Sequence, residues 1–292
     1  MQKNNQTTAL ILVHHGGKLT PEVINGYTSL KISVVNHFAR QNLFQIYDAF
    51  LNKRYINNSE ELITLDLESL LERLFQLGMQ QVFIQPSLLV PGQQYQKLIE
   101  LVTVWQDKFT DIRVGNALLS DLISCQKLAG MMNNYFGKYP EVENILVAHG
   151  GVNHGNRWLE VFSFELKRLN SCFHLVELSR DEFANLESFS EHLQLKINQL
   201  TTNFPIKIIS FMLILGHHFY NDIVSSCQKI QVNTAIEIFP QSLSELEFIH
   251  QFVIDKICQL LSAKNSLNLL TQSKRSFRVS IGVNRNSSFG NF

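Results

Sequence analysis

The sequence predicts an α/β protein of two similar lobes, each a four-stranded parallel sheet flanked by helices, with a cleft between the lobes. Three observations carry this expectation. Short apolar runs alternate with longer segments of helical period, the pattern of βα units and a parallel sheet. The units number eight and divide into two sets of four. The chain also repeats itself at the division, because Ile11-Leu12-Val13-His14-His15-Gly16-Gly17 and Ile145-Leu146-Val147-Ala148-His149-Gly150-Gly151 agree at six of seven positions.

Taken in order, the first strand is Ala9–His14, where Leu10 to Val13 run without a charge, and helical period follows near 20–38. Leu43, Phe44 and Ile46 mark a second strand at Leu43–Ala49, with a helix near 59–77. Val82, Phe83 and Ile84 mark Gln81–Gln85, with a helix near 93–108, and Ile112 and Val114 mark Ile112–Ala117, with a helix near 119–136. The second set opens at Asn144–His149 with a helix near 155–169 and continues with Phe173–Glu177 and a helix near 181–200. Ile206–Leu213 precedes a helix near 218–230, and Asn233–Ile238 precedes one near 242–262. A weaker echo pairs Pro86–Val90 with Phe211–Leu215, each closed soon after by Gly92 or Gly216. The expected division is residues 1–130, residues 131–264 carrying the metal site, and a basic extension at 265–292. That extension holds Lys274, Arg275, Arg278 and Arg285, no acidic residue, and room for a short strand at Phe277–Val283.

Composition narrows the class. The 292 residues are 45% hydrophobic and 17% charged, which excludes a disordered chain. Lys+Arg and Asp+Glu are both 25, so no global charge favours nucleic acid or an anionic membrane. Cys125, Cys172, Cys227 and Cys258 lie far apart without a CxxC, which argues against a zinc knuckle or a disulfide framework and for buried thiols in a reducing compartment. The apolar run at Ala9–Val13 is too short for a signal-peptide core, and no stretch approaches a membrane span. A cytoplasmic location is expected. Nothing in the sequence fixes the oligomeric state, a homo-oligomer included.

Histidines at strand ends are the informative chemistry. Ligands of doubly wound sheets bind outside the carboxyl ends of the strands, and His149, Glu177 and His217-His218 all fall on that edge of the second sheet. Imidazole and carboxylate suit divalent Fe, Co, Ni or Zn, and the same groups serve as proton acceptors. A strand-end histidine can equally be a hydrogen-bonded structural residue. In His14-His15 and His217-His218, strand alternation allows one ring of each pair to face the cleft. His37, His174, His192 and His250 receive no role. No GxSxG elbow, complete phosphate loop or GxGxxG occurs, which argues against an esterase, a P-loop enzyme and a nicotinamide or flavin dehydrogenase.

Four blocks resemble the class II tetrapyrrole chelatases, in particular the anaerobic sirohydrochlorin cobaltochelatases. Ile84 to Tyr95 resembles the family segment ending in Asn-Gly and Tyr, Val147 to Gly151 its Gly-His-Gly block, and Val176-Glu177 its Val-Glu block. Phe211 to Asp222 resembles its Met-Leu-Val-Ala-Gly-Asp-His-x-x-Asn-Asp block and is the most specific. The resemblance spans most of residues 8–262. It implies two α/β lobes, with His149, Glu177 and His218 as metal-binding residues and His149 and Glu177 handling protons. It also implies a tetrapyrrole partner near His15, Gly16, Gly92 and Gly150, with backbone amides by the glycines meeting macrocycle carboxylates. Cobalt or ferrous iron, with nickel as an alternative, is then a substrate rather than a resident group, and no organic cofactor is expected. Departures are Leu88 in place of a cleft His, His217 in place of Asp, His14-His15 in place of Ser-Phe, no carboxylate over Ile223–Gln228, and no Gly-Glu turn at Leu243-Ser244. A metal or tetrapyrrole carrier or sensor, and a protein-interaction module using the basic tail, stay open as alternatives.

Overall fold

A computed structural model describes residues 7–16, 20–41, 43–52, 65–150, 155–178, 188–200 and 203–263. The expected extension at 265–292, the proposed strand at Phe277–Val283 included, lies outside the described residues, as do 59–64 and 181–187 of two expected helices.

Two parallel sheets form. The first contains β1 (Thr8–His14), β2 (Gln45–Phe50), β3 (Leu65–Asp66), β4 (Gln81–Ser87) and β5 (Asp111–Val114) in the order β3-β2-β1-β4-β5. The second contains β6 (Glu143–Ala148), β7 (Phe173–Glu177), β8 (Ile206–Ser210) and β9 (Ile236–Ile238) in the order β7-β6-β8-β9. The helices are α1 (Pro21–Phe38), α2 (Leu67–Gln76), α3 (Gln93–Thr103), α4 (Leu122–Phe136), α5 (Gly155–Leu169), α6 (Phe189–Asn198), α7 (Ser225–Cys227) and α8 (Glu247–Ser262). The two-lobed α/β fold expected from the alternation is present. The first sheet has one strand more than expected, because the two-residue β3 pairs with Ala49 and Phe50 at its edge.

Local chemistry explains the element ends. Thr20, Asp66 and Asp121 cap α1, α2 and α4 by accepting the N–H of Val23, Ser69 and Ser124, and Pro21 sits where its missing donor costs nothing. β5 stops at Val114, short of the expected Ala117. There Gly115 crosses the buried Gln85 amide, whose Nε2 donates to the carbonyls of Pro86 and Asn116 at 3.0 Å each, and a Cβ at Gly115 would lie 2.3 Å from Gln85 Oε1. β8 ends at Ser210 although apolar residues continue to Leu213. The carbonyls of Met212 and Leu213 accept instead from Leu243 and Ser244 of a 3-10 turn, Leu243–Glu245, so the chain leaves the sheet there. The helix expected near 218–230 is a π-helical turn, Phe219–Val224, running into the short α7.

One core joins the two sheets. Leu10 and Leu12 of β1, Phe83 of β4, Leu146 and Ala148 of β6, and Ile209 of β8 share it with buried residues of α1, α4, α5 and α8. Within it the rings of Phe162 and Phe211 stack at 4.7 Å. The outer faces of the sheets have their own cores, with α2 and α3 over the first and α6 over the second. α8 follows the second sheet in sequence yet also packs on β4 and α1. This shared packing holds the carboxyl edges of the two sheets in a fixed relation. All four cysteines are free; Cys125 is buried as expected, whereas Cys172 and Cys227 are half-buried and Cys258, on α8, is exposed.

Candidate functional site

His149 directly follows β6, and its Nδ1 donates to the Gly150 carbonyl at 3.1 Å. His218 lies 69 residues on, after β8 and its apolar loop, and its Nδ1 donates to the Asp222 carboxylate at 2.6 Å. The π-helical turn that starts at Phe219 brings Asp222 back over His218, and such turns often occur where a site is built. With both Nδ1 atoms donating, each ring in its neutral form presents an Nε2 lone pair. The two Nε2 atoms face each other at 3.2 Å, with the rings at 84°. Bonds of about 2.1 Å from one ion to nitrogens 3.2 Å apart enclose an angle of about 100°, between octahedral and tetrahedral values. The arrangement matches a histidine whose far nitrogen is fixed by a carboxylate or carbonyl, the usual setting of a metal ligand.

The other expected residues distribute around this pair. Glu177 ends β7 in register with Ala148, one residue before His149, and is buried. Among the described residues no group of three or more His, Cys, Asp or Glu is gathered tightly enough to hold an ion, so the structure unites two of the three expected ligands. Gly16 and Gly150, at φ +85° and +71°, turn the chain just after β1 and β6. Gly92 is the residue before α3, and Leu88, expected near a cleft, is packed in the core of the first sheet.

His15 comes from the first sheet. Burial against the protein lowers its imidazole pKa, and the nearby charges of His149, Lys97 and His218 lower it further against an opposing contact with the Gly16 backbone. His15 remains exposed on its solvent side. His149 and His218 of the second sheet's edge and Lys97 of α3 thus lie near enough for their charges to act on His15, at the edge of the first sheet. Alternation separates His14 from His15 as expected: His14 is fully buried, and its Nε2 bonds Asp48 Oδ1 at 3.1 Å. Asp48 also pairs with Lys31 at 2.7 Å. Burial raises the Asp48 pKa, but the bonds from His14 and Lys31 outweigh it and the net shift is downward. Alternation does not apply to His217 and His218, which open a helical segment and are both exposed, His217 bonding Asn221 at 3.0 Å.

Sequence reasoning missed Lys97, Asp48 and the role of Asp222. The last had a signal, since His and Asp four residues apart share one helix face. Lys97 and Asp48 had none, because their partners lie in other elements.

The backbone is similar to a structure of SirB from Bacillus subtilis with Fe3+, at TM-score 0.63 and 12% identity, covering 87% of this chain and 96% of that one. It is also similar to the sirohydrochlorin chelatase SirB from Bacillus subtilis subspecies spizizenii in complex with cobalt, at TM-score 0.59 and 10% identity, covering 87% and 94%. CbiX, the terminal enzyme for biosynthesis of siroheme in denitrifying bacteria, gives TM-score 0.54 and 12% identity over 86% and 98%. At these identities the likeness establishes the fold. No curated protein sequence gives a significant match. The sequence profile described as Cobalt chelatase (CbiK) matches residues 8–262, the span of both sheets and of all four resembling blocks. By that match the chain belongs to the cobalt chelatase (CbiK) family.

Proposed function

We propose that the cleft between the two sheet edges binds an acidic tetrapyrrole of the sirohydrochlorin type, and that His149 and His218 deliver a divalent metal ion to it. The observation that carries this reading is the pair of Nε2 atoms at 3.2 Å, each ring anchored through its other nitrogen. Two neutral imidazoles do not rest with lone pairs opposed at this distance unless a proton or a cation lies between them. Insertion exchanges those roles. The macrocycle releases two pyrrole N–H protons as the ion leaves imidazole nitrogen for the ring nitrogens, and the vacated Nε2 atoms become proton acceptors.

His149 then acts as transient ligand and proton acceptor, His218 shares the ion, and Glu177 relays protons from the end of the adjoining strand. Two ligands rather than a closed shell of four leave the ion exchangeable, as delivery requires. Lys97 pairs with macrocycle carboxylates and the neutral His15 donates a hydrogen bond to them, helped by backbone N–H groups near Gly16, Gly92 and Gly150. The segments 1–130 and 131–264 serve as the two walls. Cobalt and ferrous iron are the proposed metals, with nickel next, since His and carboxylate donors follow general affinity orders. No helix among the described residues is long and apolar enough to cross a membrane; the reading places the enzyme in the cytoplasm and assigns it no organic cofactor.

Anaerobic absorbance of the protein with sirohydrochlorin and cobalt, ferrous iron or nickel, in wild type and His149→Ala, tests the reading. Wild-type insertion above background that vanishes in the variant is the expected result. A saturating spectral shift without insertion identifies a carrier instead.

A further inference from the structure

Helix α1 has a glycine in its middle, at a buried position, although alanine is the better helix former there. Space explains it. A Cβ on Gly26 would lie 2.6 Å from Ser244 Oγ, 3.2 Å from Ser242 Oγ and 3.6 Å from Ile214 Cγ2. Those neighbours are held: Ser242 and Ser244 are buried, their hydroxyls are 3.2 Å apart, and His250 Nε2 donates to the Ser244 carbonyl at 2.7 Å. Added bulk at Gly26 must turn the Ser244 hydroxyl out of its buried seat beside Ser242 or move α1 itself.

The two sides of this contact lead to the two walls of the cleft. α1 starts six residues after His15. The 3-10 turn carrying Ser244 is bonded through Leu243 and Ser244 N–H to Met212 and Leu213, in the loop that runs through Ile214 to His217 and His218. Ile214 also packs with Val23, Tyr27 and Phe50, and the Tyr27 ring lies 4.0 Å from that of His14, beside His15. We propose that Gly26, seated against Ser242, Ser244 and Ile214, fixes the separation between His15 and the His149–His218 pair, and is a positioning residue for the macrocycle. The role in catalysis rests on the macrocycle reading above, whereas the separation itself does not.

Crystal structures and steady-state cobalt insertion into sirohydrochlorin for wild type, Gly26→Ala and Gly26→Ala/Ser244→Ala test it. The single variant should lengthen the separation between His15 and His149 and raise KM for sirohydrochlorin about tenfold, within the range a displacement near 1 Å produces. Cobalt affinity should stay unchanged, because the displaced element is α1 while both ligands follow strands of the second sheet, and the double variant should restore both readings. Should Gly26→Ala fail to fold, Ser244→Gly opens the same contact and should shorten the separation while also raising KM. An unchanged separation overturns the inference, as does a changed separation with normal KM or a Gly26→Ala protein that merely melts higher, as helix propensity alone would dictate. A wild type without insertion refutes the macrocycle reading, and the crystallographic separation still decides what Gly26 positions.

Discussion

Removing the Asp222 carboxylate should weaken the metal pair without touching a metal ligand. Asp222 Oδ2 accepts from His218 Nδ1 at 2.6 Å, the shorter of the two bonds that orient the facing imidazoles. In Asp222→Ala the ring of His218 is free to rotate and to change tautomer, and its Nε2 no longer points at a stable angle toward His149. Loss of such a partner costs roughly 10- to 100-fold in metal affinity, or about 1.4 to 2.8 kcal/mol at 1.4 kcal/mol per tenfold. Both side chains are substantially exposed, with relative areas of 47% and 38%, so solvent replaces part of the bond and the lower end is expected. Anaerobic calorimetric titration with cobalt reads the loss directly, and far-UV circular dichroism checks that the fold persists. In His218→Ala the further removal of Asp222 should cost nothing, because the carboxylate acts only through that ring. Wild-type affinity in Asp222→Ala, or additive losses in the double variant, would refute the account of the pair.

Three further outcomes follow from the same geometry. Lys97→Glu should raise KM for sirohydrochlorin about tenfold and leave cobalt affinity unchanged, as steady-state kinetics beside a metal titration will report, since it reverses the charge proposed to meet macrocycle carboxylates. Asp48→Ala leaves the buried His14 Nε2 without its acceptor and should cost about 1–3 kcal/mol at pH 7 by urea unfolding. The Asp48 pKa is lowered in the folded state, so its contribution is full above the ordinary carboxylate pKa and is lost as pH falls through the folded value; a wild-type-to-variant gap that widens toward acid contradicts this. Phe211→Ala removes a fully buried ring stacked on Phe162 and should destabilise by about 3–5 kcal/mol, with a loss below 1 kcal/mol excluding a tightly packed junction between the sheets.

Much of the architecture was legible because periodicity and strand length are local properties. β1, β6 and β7 fall on the expected apolar runs, since each run stops at a polar residue, His14, His149 or Glu177. The misses came where a distant element intervened. β5 ends early because Gly115 meets Gln85 of another strand, and β8 ends early because a 3-10 turn some thirty residues later takes the carbonyls of Met212 and Leu213. No local pattern contains those partners.

The site divides in the same way. By itself the sequence determined that His15, His149, Glu177 and His218 would lie on carboxyl edges, because in parallel βα units the residue after each strand emerges there. It also determined family membership, through blocks spread over residues 8–262. Only the tertiary structure decided that His149 and His218 meet through Nε2 while Glu177 stays buried on the next strand, that His15 comes within reach of their charges and that of Lys97, and that Leu88 belongs to a core. The physical reason is range. Strand and helix formation depend on neighbours within a few residues, whereas the approach of two imidazoles 69 residues apart depends on how a shared core, a π-helical turn and the Gly26 contact fix two sheets against each other.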